Sequence, residues 1–382
     1  MSLIPADNHM AVMAALFAIA GIGFLAERTR IGAHLTGAVI AILGAILASN
    51  LKIIPHSAPA YGFVFSYVVP VLIPLFLFQA DLRRLLFETG RTTLAFLLAT
   101  TGTVAGVVVA ALFLDLGGLA SNAGIAEESR EAAIAGLFAS TYIGGSVNYA
   151  ALGEITGLSR DASFFSAATA ADNLFSAVYL GFLALLPGWR WLASRFPLQD
   201  HSEMVAETHS SPPTAMSLTL GLAAATIIVA GSDALVSWLD IPDWRYVAIT
   251  LVTLVLATAI PNLADRLAGS FELGIGFSFL FFAAIAAGAD VVAMIEVAPL
   301  LTLLVLVLLS IHALVTFTLG SLLRLSLPEL ITASNAAILG ATTAPALAAT
   351  RGWSSLVTPG VLVGVLGYAL GTFIGTAIFK LW

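Results

Sequence analysis

Hydrophobic and polar positions alternate along this chain in long blocks, not residue by residue. Twelve apolar segments stand out, six on each side of one polar stretch. The longer segments reach the roughly 20 residues with which an α-helix crosses a hydrocarbon layer about 30 Å thick. The segments cover residues 10–26, 34–49, 62–79, 92–114, 131–152, 162–187, 216–239, 245–263, 271–289, 298–322, 330–350 and 355–380. The pattern predicts an all-α polytopic membrane protein.

Composition supports this class and argues against several others. Apolar residues make up 59% of the chain and charged residues 10%, whereas soluble domains carry about 25% charged residues. The absence of cysteine excludes disulfides and cysteine-ligated metals. The net charge of −7 is spread over loops and termini, so no nucleic-acid partner is expected. The sequence lacks a zinc-protease motif, a nucleophile elbow and a P-loop, and we expect neither an enzyme nor a cofactor.

The two halves of the chain correspond segment by segment, which indicates an internal duplication. For example, Thr103 in the first half corresponds to His312 in the second, at an offset of 209 residues. We therefore divide the chain into a first repeat at residues 1–187, a polar linker at 188–215 and a second repeat at 216–382.

One segment in each half is interrupted at its centre by small and polar residues, at 139–151 and 333–346. Within a bilayer, backbone leaves the helix only where protein or a water-filled cavity surrounds it. A matching pair of interrupted segments points to the binding site of a secondary transporter. Freed carbonyl and N–H groups, together with side-chain oxygens, would then bind the ligand. The alternative is that the small residues here only allow close helix packing.

The interrupted segments also decide the predicted topology. If all twelve segments cross the membrane, the 15 Lys and Arg residues divide eight inside against seven outside. If each interrupted segment instead enters and leaves on one face, ten lie inside and five outside, as the positive-inside rule requires. We therefore predict two inverted-topology repeats, each of five crossings plus one re-entrant segment. Both termini would lie outside, the linker in the cytoplasm, and the protein in the bacterial inner membrane.

The candidate binding residues lie in the two interruptions and in the segment that follows the first. Asp172, followed by Asn173, stands ten residues into an apolar run of about 25, where a carboxylate costs roughly 2.5–3.5 kcal/mol and commonly marks an ion pathway. We expect Asp172 to bind the coupling cation, with Asn148 as a further Na⁺ ligand. His312, alone in an apolar span, is expected to be a satisfied interior group. The full set is Thr141, Gly144, Gly145, Ser146, Asn148, Asp172, Asn173, Asn335, Thr342, Thr343 and Pro345.

Three motifs resemble the YjcL-like family of integral membrane proteins, a family of unknown function. They are the runs 71–82 and 142–149, and Asn335-Ala336-Ala337 with Pro345. That family is similar to the cation:proton antiporter and anion transporter superfamily, which includes glutamate:sodium and bile acid:sodium symporters. The resemblance implies inverted repeats, a scaffold domain, a mobile core domain that holds the interrupted helices, and a homodimer. Asp172-Asn173 resembles the acidic or Asn-Asp pair of the antiporter branch, although no second acidic residue stands beside Asp172.

Residues and resemblance together lead to one functional hypothesis and three alternatives. The hypothesis is a secondary transporter that moves a small anionic organic solute with Na⁺ or H⁺ by an elevator-like mechanism. Its partners would be the solute, a monovalent cation and the lipid bilayer. The alternatives are a Na⁺/H⁺ antiporter without an organic substrate, a membrane-embedded enzyme and a structural subunit.

Overall fold

The computed structural model describes residues 2–29, 37–80, 89–202, 212–260, 262–289 and 291–382, and the described part contains helices and no strand. The first half forms α1 (His9–Glu27), α2 (Gly37–Asn50), α3 (Pro59–Leu77), α4 (Gly90–Phe113), α5 (Glu127–Thr156) and α6 (Ala162–Leu185). The second half forms α7 (Ala215–Trp238), α8 (Arg245–Ala259), α9 (Ser270–Ala286), α10 (Val291–Leu322), α11 (Leu327–Leu339), α12 (Thr343–Thr350) and α13 (Val357–Leu381). Within the described residues, seven helices are long and apolar enough to cross a membrane.

Helix ends follow local capping chemistry. Ser326 caps α11 through its hydroxyl, and the carboxylate of Glu329 accepts a hydrogen bond from the Ser326 backbone N–H, which completes a capping box. Thr214 and Ser217 form the same arrangement at α7, and the Asp161 side chain caps α6. These polar residues precede apolar runs, so the sequence itself fixes where the helices begin.

The helices pack as two layers, each with members from both halves of the chain. One layer contains α1, α2 and α3 together with α7, α8 and α9, and the other contains α4, α5 and α6 together with α10 to α13. Within the first layer, α1 and α2 of the first half both pack against α9 of the second half. In the same way, α7 and α8 of the second half both pack against α3 of the first half. The pairing therefore repeats between the halves. The division into repeats and linker stays a prediction, and residues 203–211 of the linker lie outside the described residues.

The loops collect at two opposite ends of the helices. At one end, the backbone of Leu3 and Ile4 bonds to the loop after α2, and Trp382 donates to Glu131 at the start of α5. At the other end, the Arg91 guanidinium at the start of α4 pairs with Glu329 at the start of α11, at 2.7 Å. The linker reaches this second end, because His201 there bonds to Ser326 and Ser355. We call the first of these ends, near both chain termini, the terminal end, and the second the linker end. α5 begins and ends at the terminal end, whereas the pair α11 and α12 begins and ends at the linker end.

Candidate solute and cation site

The first interrupted segment, α5, folds back on itself at Gly144-Gly145. The Ser140 hydroxyl lies 3.5 Å from the carbonyl oxygen of Asn148, whereas eight residues of continuous helix would separate the two by about 12 Å. Both arms also approach α13 at Gly375. A methyl group added to Gly375 would lie 2.7 Å from the Gly136 carbonyl oxygen of the first arm and 3.1 Å from the Leu152 side chain of the second arm. α5 is therefore a helical hairpin, which we call hairpin 1.

The second interrupted segment, α11 with α12, also folds back. The Thr343 hydroxyl donates to the Asn335 side-chain oxygen at 2.7 Å, and the Asn335 amide donates to the Thr343 carbonyl at 3.3 Å. The turn contains Gly340, whose φ of 91° and ψ of −172° match the 68° and −163° of Gly145 in hairpin 1. This backbone region is essentially restricted to glycine. α11 and α12 form hairpin 2, and both tips use the same local conformation.

The two hairpin tips meet at one cavity of about 360 Å³ between the helix layers. Gly145 and Ser146 line it from hairpin 1, and Gly340 and Thr342 line it from hairpin 2. The Tyr368 ring of α13 lies between the tips, since methyl groups on Gly145 and Gly340 would each lie 3.9 Å from the same ring carbon. Segments separated by almost 200 residues thus share one site.

α6 supplies the charge of this cavity. Asp172, Asn173 and Thr169 all line it, and among the described residues Asp172 is the only lining residue with an ionisable acidic or basic side chain other than tyrosine. The Asp172 carboxylate accepts a hydrogen bond from Ser176, at 3.3 Å, and the Asn173 amide donates to the Thr169 carbonyl at 2.8 Å. The carboxylate therefore faces a partly enclosed space without a guanidinium or ammonium partner lining it, which favours an incoming cation.

Helix ends add backbone partial charges around the cavity. In hairpin 1, Gly144 and Gly145 leave the helical dihedral angles, so the first arm ends at the tip and the second arm begins there at Ser146. In hairpin 2, α11 ends at Leu339 and α12 begins at Thr343. Carbonyl ends stabilise cations, and N–H ends stabilise anions. Helix ends of both kinds therefore lie at the tips that line this cavity.

Five of the predicted site residues line this cavity, and the other six lie outside it. Asn148 is fully buried; its amide donates to the Gly367 carbonyl at 3.2 Å, and its oxygen accepts from the Thr372 hydroxyl. Both ends of the amide thus form hydrogen bonds inside the protein, and the role of Asn148 as a Na⁺ ligand stays a prediction. The lining residues are Gly145, Ser146, Asp172, Asn173 and Thr342, whereas Thr141, Gly144, Asn148, Asn335, Thr343 and Pro345 do not line the cavity.

The remaining predicted residues have local structural contacts. The Thr141 hydroxyl donates back to the Leu137 carbonyl at 2.7 Å, and Asn335 bonds to Thr343 across hairpin 2. A methyl group on Gly144 would lie 2.2 Å from the Gly367 carbonyl oxygen, so this glycine allows α13 to touch hairpin 1. Pro345 belongs to the first turn of α12, where its missing N–H has no helical partner to lose.

An aromatic wall opposite the tips was not predicted from the sequence. Phe76 of α3 and Phe271, Phe279 and Phe282 of α9 line the cavity from the other layer, with Ile275 among them. Phe76 packs edge-on against Phe271, with ring centroids 5.1 Å apart, and against Tyr368 at 5.5 Å. The only sequence signal was the abundance of phenylalanine in these two segments, which also suits lipid contact.

His312 is a satisfied interior group at the contact between α4 and α10. Its Nδ1 lies 2.9 Å from the hydroxyl of Thr103, its predicted counterpart, and its Nε2 lies 2.9 Å from Ser334 of hairpin 2. The Thr103 hydroxyl also reaches the Tyr142 carbonyl at 3.0 Å. If its single hydrogen goes to that carbonyl, Nδ1 must donate, and Nε2 accepts from Ser334. The histidine thus links both hairpins outside the cavity.

A second cavity, of about 460 Å³, opens at the terminal end beside Glu154, Arg245, Tyr246 and Lys380. Arg245 is paired, because Asp233 accepts two hydrogen bonds from it, at 2.6 and 2.9 Å. Neither hairpin tip reaches it. Among the described residues, no cluster of three or more His, Asp or Glu side chains could hold a metal ion.

Comparison with known sequences identifies the family. The profile of a family described as a protein of unknown function, DUF819, matches residues 14–381. The chain belongs to the DUF819 family. One relative, the uncharacterized membrane protein YjcL of Bacillus subtilis strain 168, is 31% identical over 398 aligned positions that cover 98% of this chain and 97% of the relative. The expected membership of the YjcL-like family is therefore confirmed, and so is the assignment as a helical membrane protein. The DUF819 description specifies no substrate.

Proposed function

We propose that the protein is an ion-coupled secondary transporter for a small anionic organic solute. The observation that carries this proposal is the single cavity in which two hairpin tips, one from each half, meet the Asp172 carboxylate between two helix layers. Interrupted helices with their ends at a shared site are the arrangement that transporters use to bind solute and coupling ion. The layer with the hairpins would move against the other layer in an elevator-like cycle.

In this proposal Asp172 binds the coupling cation, Na⁺ or H⁺, and the hairpin N–H groups bind the anion. The uncompensated carboxylate would repel an anion that arrives first. Two like charges about 8 Å apart at an effective dielectric constant of about 20 repel by about 2 kcal/mol, which weakens binding about 30-fold. The cation therefore binds first, and its binding admits the solute. Asn148, Asn335 and Thr343 keep the tips in position.

We also propose that the two halves are inverted repeats of five crossings and one re-entrant hairpin each. The repeated helix pairing, the contact between Thr103 and its counterpart His312, and the opening of the hairpins at opposite ends support this topology. The terminal end would lie outside the bacterial inner membrane and the linker end in the cytoplasm. The resemblance to the transporter superfamily supports a homodimer.

Uptake by the purified protein in liposomes tests the function. A thermal-shift screen of metabolites, with and without Na⁺, first finds a solute, because a ligand that binds only the folded state raises its apparent stability. We expect cation-driven uptake of that solute, and we expect Asp172→Asn to abolish its cation dependence. Asp240→Asn is the matched control, since Asp240 lies in a loop away from the cavity. Full cation-dependent uptake by Asp172→Asn would contradict the site assignment.

A Na⁺/H⁺ antiporter without organic solute is the second candidate, favoured by the Asp172-Asn173 pair. Proteoliposomes with an internal pH dye would then respond to a Na⁺ pulse in the absence of any solute. Uptake by the purified protein alone would exclude a solely structural subunit.

The absence of native cysteine provides a direct test of topology. We expect a membrane-impermeant maleimide to label Asp115→Cys, in the loop between α4 and α5, in intact cells. Asp200→Cys, in the linker, should be labelled only after permeabilisation. The reverse pattern would refute the proposed orientation, and labelling of both in intact cells would refute the five-crossing repeat.

A further inference from the structure

The walls of the cavity differ in chemistry, and this difference bears on the kind of solute. The polar wall belongs to the hairpin layer, where Ser146, Thr342, Thr169, Asp172 and Asn173 face the cavity. The opposite wall comes from α3 and α9 and is made of aromatic and aliphatic side chains, with Ser278 as its polar member. A solute that fills the space between them needs one polar and one apolar end.

We propose that the solute is an amphipathic monocarboxylate with an aromatic or branched apolar body. This inference rests on the proposed transport function and narrows it. The carboxylate would lie at the hairpin tips beside the cation on Asp172, and the body would lie against the rings of α3 and α9. A volume of about 360 Å³ is within the range of pockets for small ligands.

Charge balance argues against a dicarboxylate. Among the described residues, no Lys, Arg or His lines the cavity, so its only fixed charge is the negative one of Asp172. Buried charges require partners. The cation on Asp172 and the N–H groups of the tips serve one carboxylate. A second carboxylate would lie against the wall of α3 and α9, where Ser278 is the only polar side chain among the described lining residues.

The aromatic wall argues for an apolar body. Phe271 lies edge-on to Phe76. The ring centroids of Phe271 and Tyr368 are 6.4 Å apart, and those of Phe282 and Tyr149 are 6.5 Å apart. These rings provide apolar area but, apart from the tyrosine hydroxyls, no hydrogen-bonding group. Burial of a phenyl-sized body against them strengthens binding by about tenfold to hundredfold.

A small probe panel tests the inference on the full-length purified protein. The probes are 3-phenylpropanoate, 4-methyl-2-oxopentanoate, succinate and phenylethylamine, each with NaCl and with choline chloride at two pH values. We expect the two monocarboxylates to raise the unfolding temperature and to bind at least about tenfold more tightly than succinate. Tighter binding of succinate, or of the amine through Asp172 and the rings, would overturn the inference, as would the absence of binding by either monocarboxylate at millimolar concentration.

A matched pair of variants locates the apolar body. Ile275→Ala removes apolar contact area from this wall and should weaken 3-phenylpropanoate binding by about threefold to tenfold while succinate binding stays unchanged. Ile227→Ala is the control, because Ile227 is an exposed residue of α7 outside the cavity. An equal effect of both variants would refute the placement of the body.

The failure of this inference can be separated from the failure of the proposed function. Cation-driven uptake of succinate or another polar solute would preserve the transporter and refute the amphipathic solute. Cation exchange without uptake of any solute would refute the organic substrate itself, and with it this inference.

Discussion

Replacement of Gly340 by alanine separates a backbone requirement from a packing requirement at the tip of hairpin 2. Gly340 has a φ of 91° and a ψ of −172°. Residues with a Cβ atom adopt this backbone conformation only under strain. The nearest atom to an added methyl group would be the Tyr368 hydroxyl, at 3.5 Å, which is an ordinary contact. The expected penalty is therefore conformational and not steric.

The size of this penalty follows from the dihedral angles. A residue other than glycine in this region costs about 1–3 kcal/mol, which corresponds to a factor of about 5 to 150 in the population of the native tip. Gly144→Ala should cost more, because its methyl group would lie 1.8 Å from the Asn148 amide nitrogen and 2.2 Å from the Gly367 carbonyl oxygen. That substitution would separate α13 from hairpin 1.

Two measurements on purified protein check the prediction. Tryptophan fluorescence during heating at a fixed rate reports overall stability, and hydrogen exchange of residues 336–346 reports opening of the tip. We expect faster exchange at the tip and a lower unfolding temperature for Gly340→Ala. Gly231→Ala is the control: Gly231 lies within α7 with no other atom within 4 Å of an added methyl group, and alanine is preferred over glycine in a helix.

One result would refute the reasoning. If Gly340→Ala matches Gly231→Ala in both exchange and unfolding temperature, the tip does not require the glycine conformation. The glycine conformation shared by the two hairpin tips would then not contribute to the stability of the protein.

Three further predictions concern contacts around the hairpins. Glu329→Gln weakens the ion pair with Arg91 and should lower the free energy of unfolding by about 1–2 kcal/mol. Loss of a fully buried pair would cost more, but half of the Arg91 side chain is exposed. An unfolding temperature equal to that of the exposed control Glu128→Gln would contradict this. Burial lowers the pKa of His201, so the unfolded chain binds more protons and stability should fall as the pH drops below about 6.5; the same pH dependence in His201→Gln would show that another group is responsible. Asn148→Ala leaves the Gly367 carbonyl and the Thr372 hydroxyl of α13 without their partner and should cost about 2–4 kcal/mol. An unchanged unfolding temperature would show that these two hydrogen bonds do not stabilise the contact between hairpin 1 and α13.

The helices and the interruptions could be predicted because their signals are local. Runs of apolar residues define the crossing helices, and Gly144-Gly145 and Gly340 mark the points where each hairpin turns. The mid-segment position of Asp172 predicted a carboxylate at the site, since isolated charges are costly in lipid, and Asp172 does line the cavity. These predictions require only the sequence near each residue.

The other parts of the cavity could not be predicted because they depend on how distant helices pack. Phe76 and Phe279 read equally well as lipid-facing residues until the two layers are assembled. Asn148 carries the same oxygen and amide groups as a ligand would, and only the position of α13 reveals that both are used within the protein. The packing of distant helices decides what a side chain faces, even where its own segment is predicted correctly.

α13 touches both hairpin tips within about one turn. A methyl group on Gly364 would lie 2.4 Å from the Ala341 Cα of hairpin 2, and one on Gly367 would lie 2.2 Å from the Ile143 carbonyl of hairpin 1. Neither tip can withdraw by itself without losing contact with this shared rod. We therefore expect any movement that opens the cavity to displace both tips together with α13.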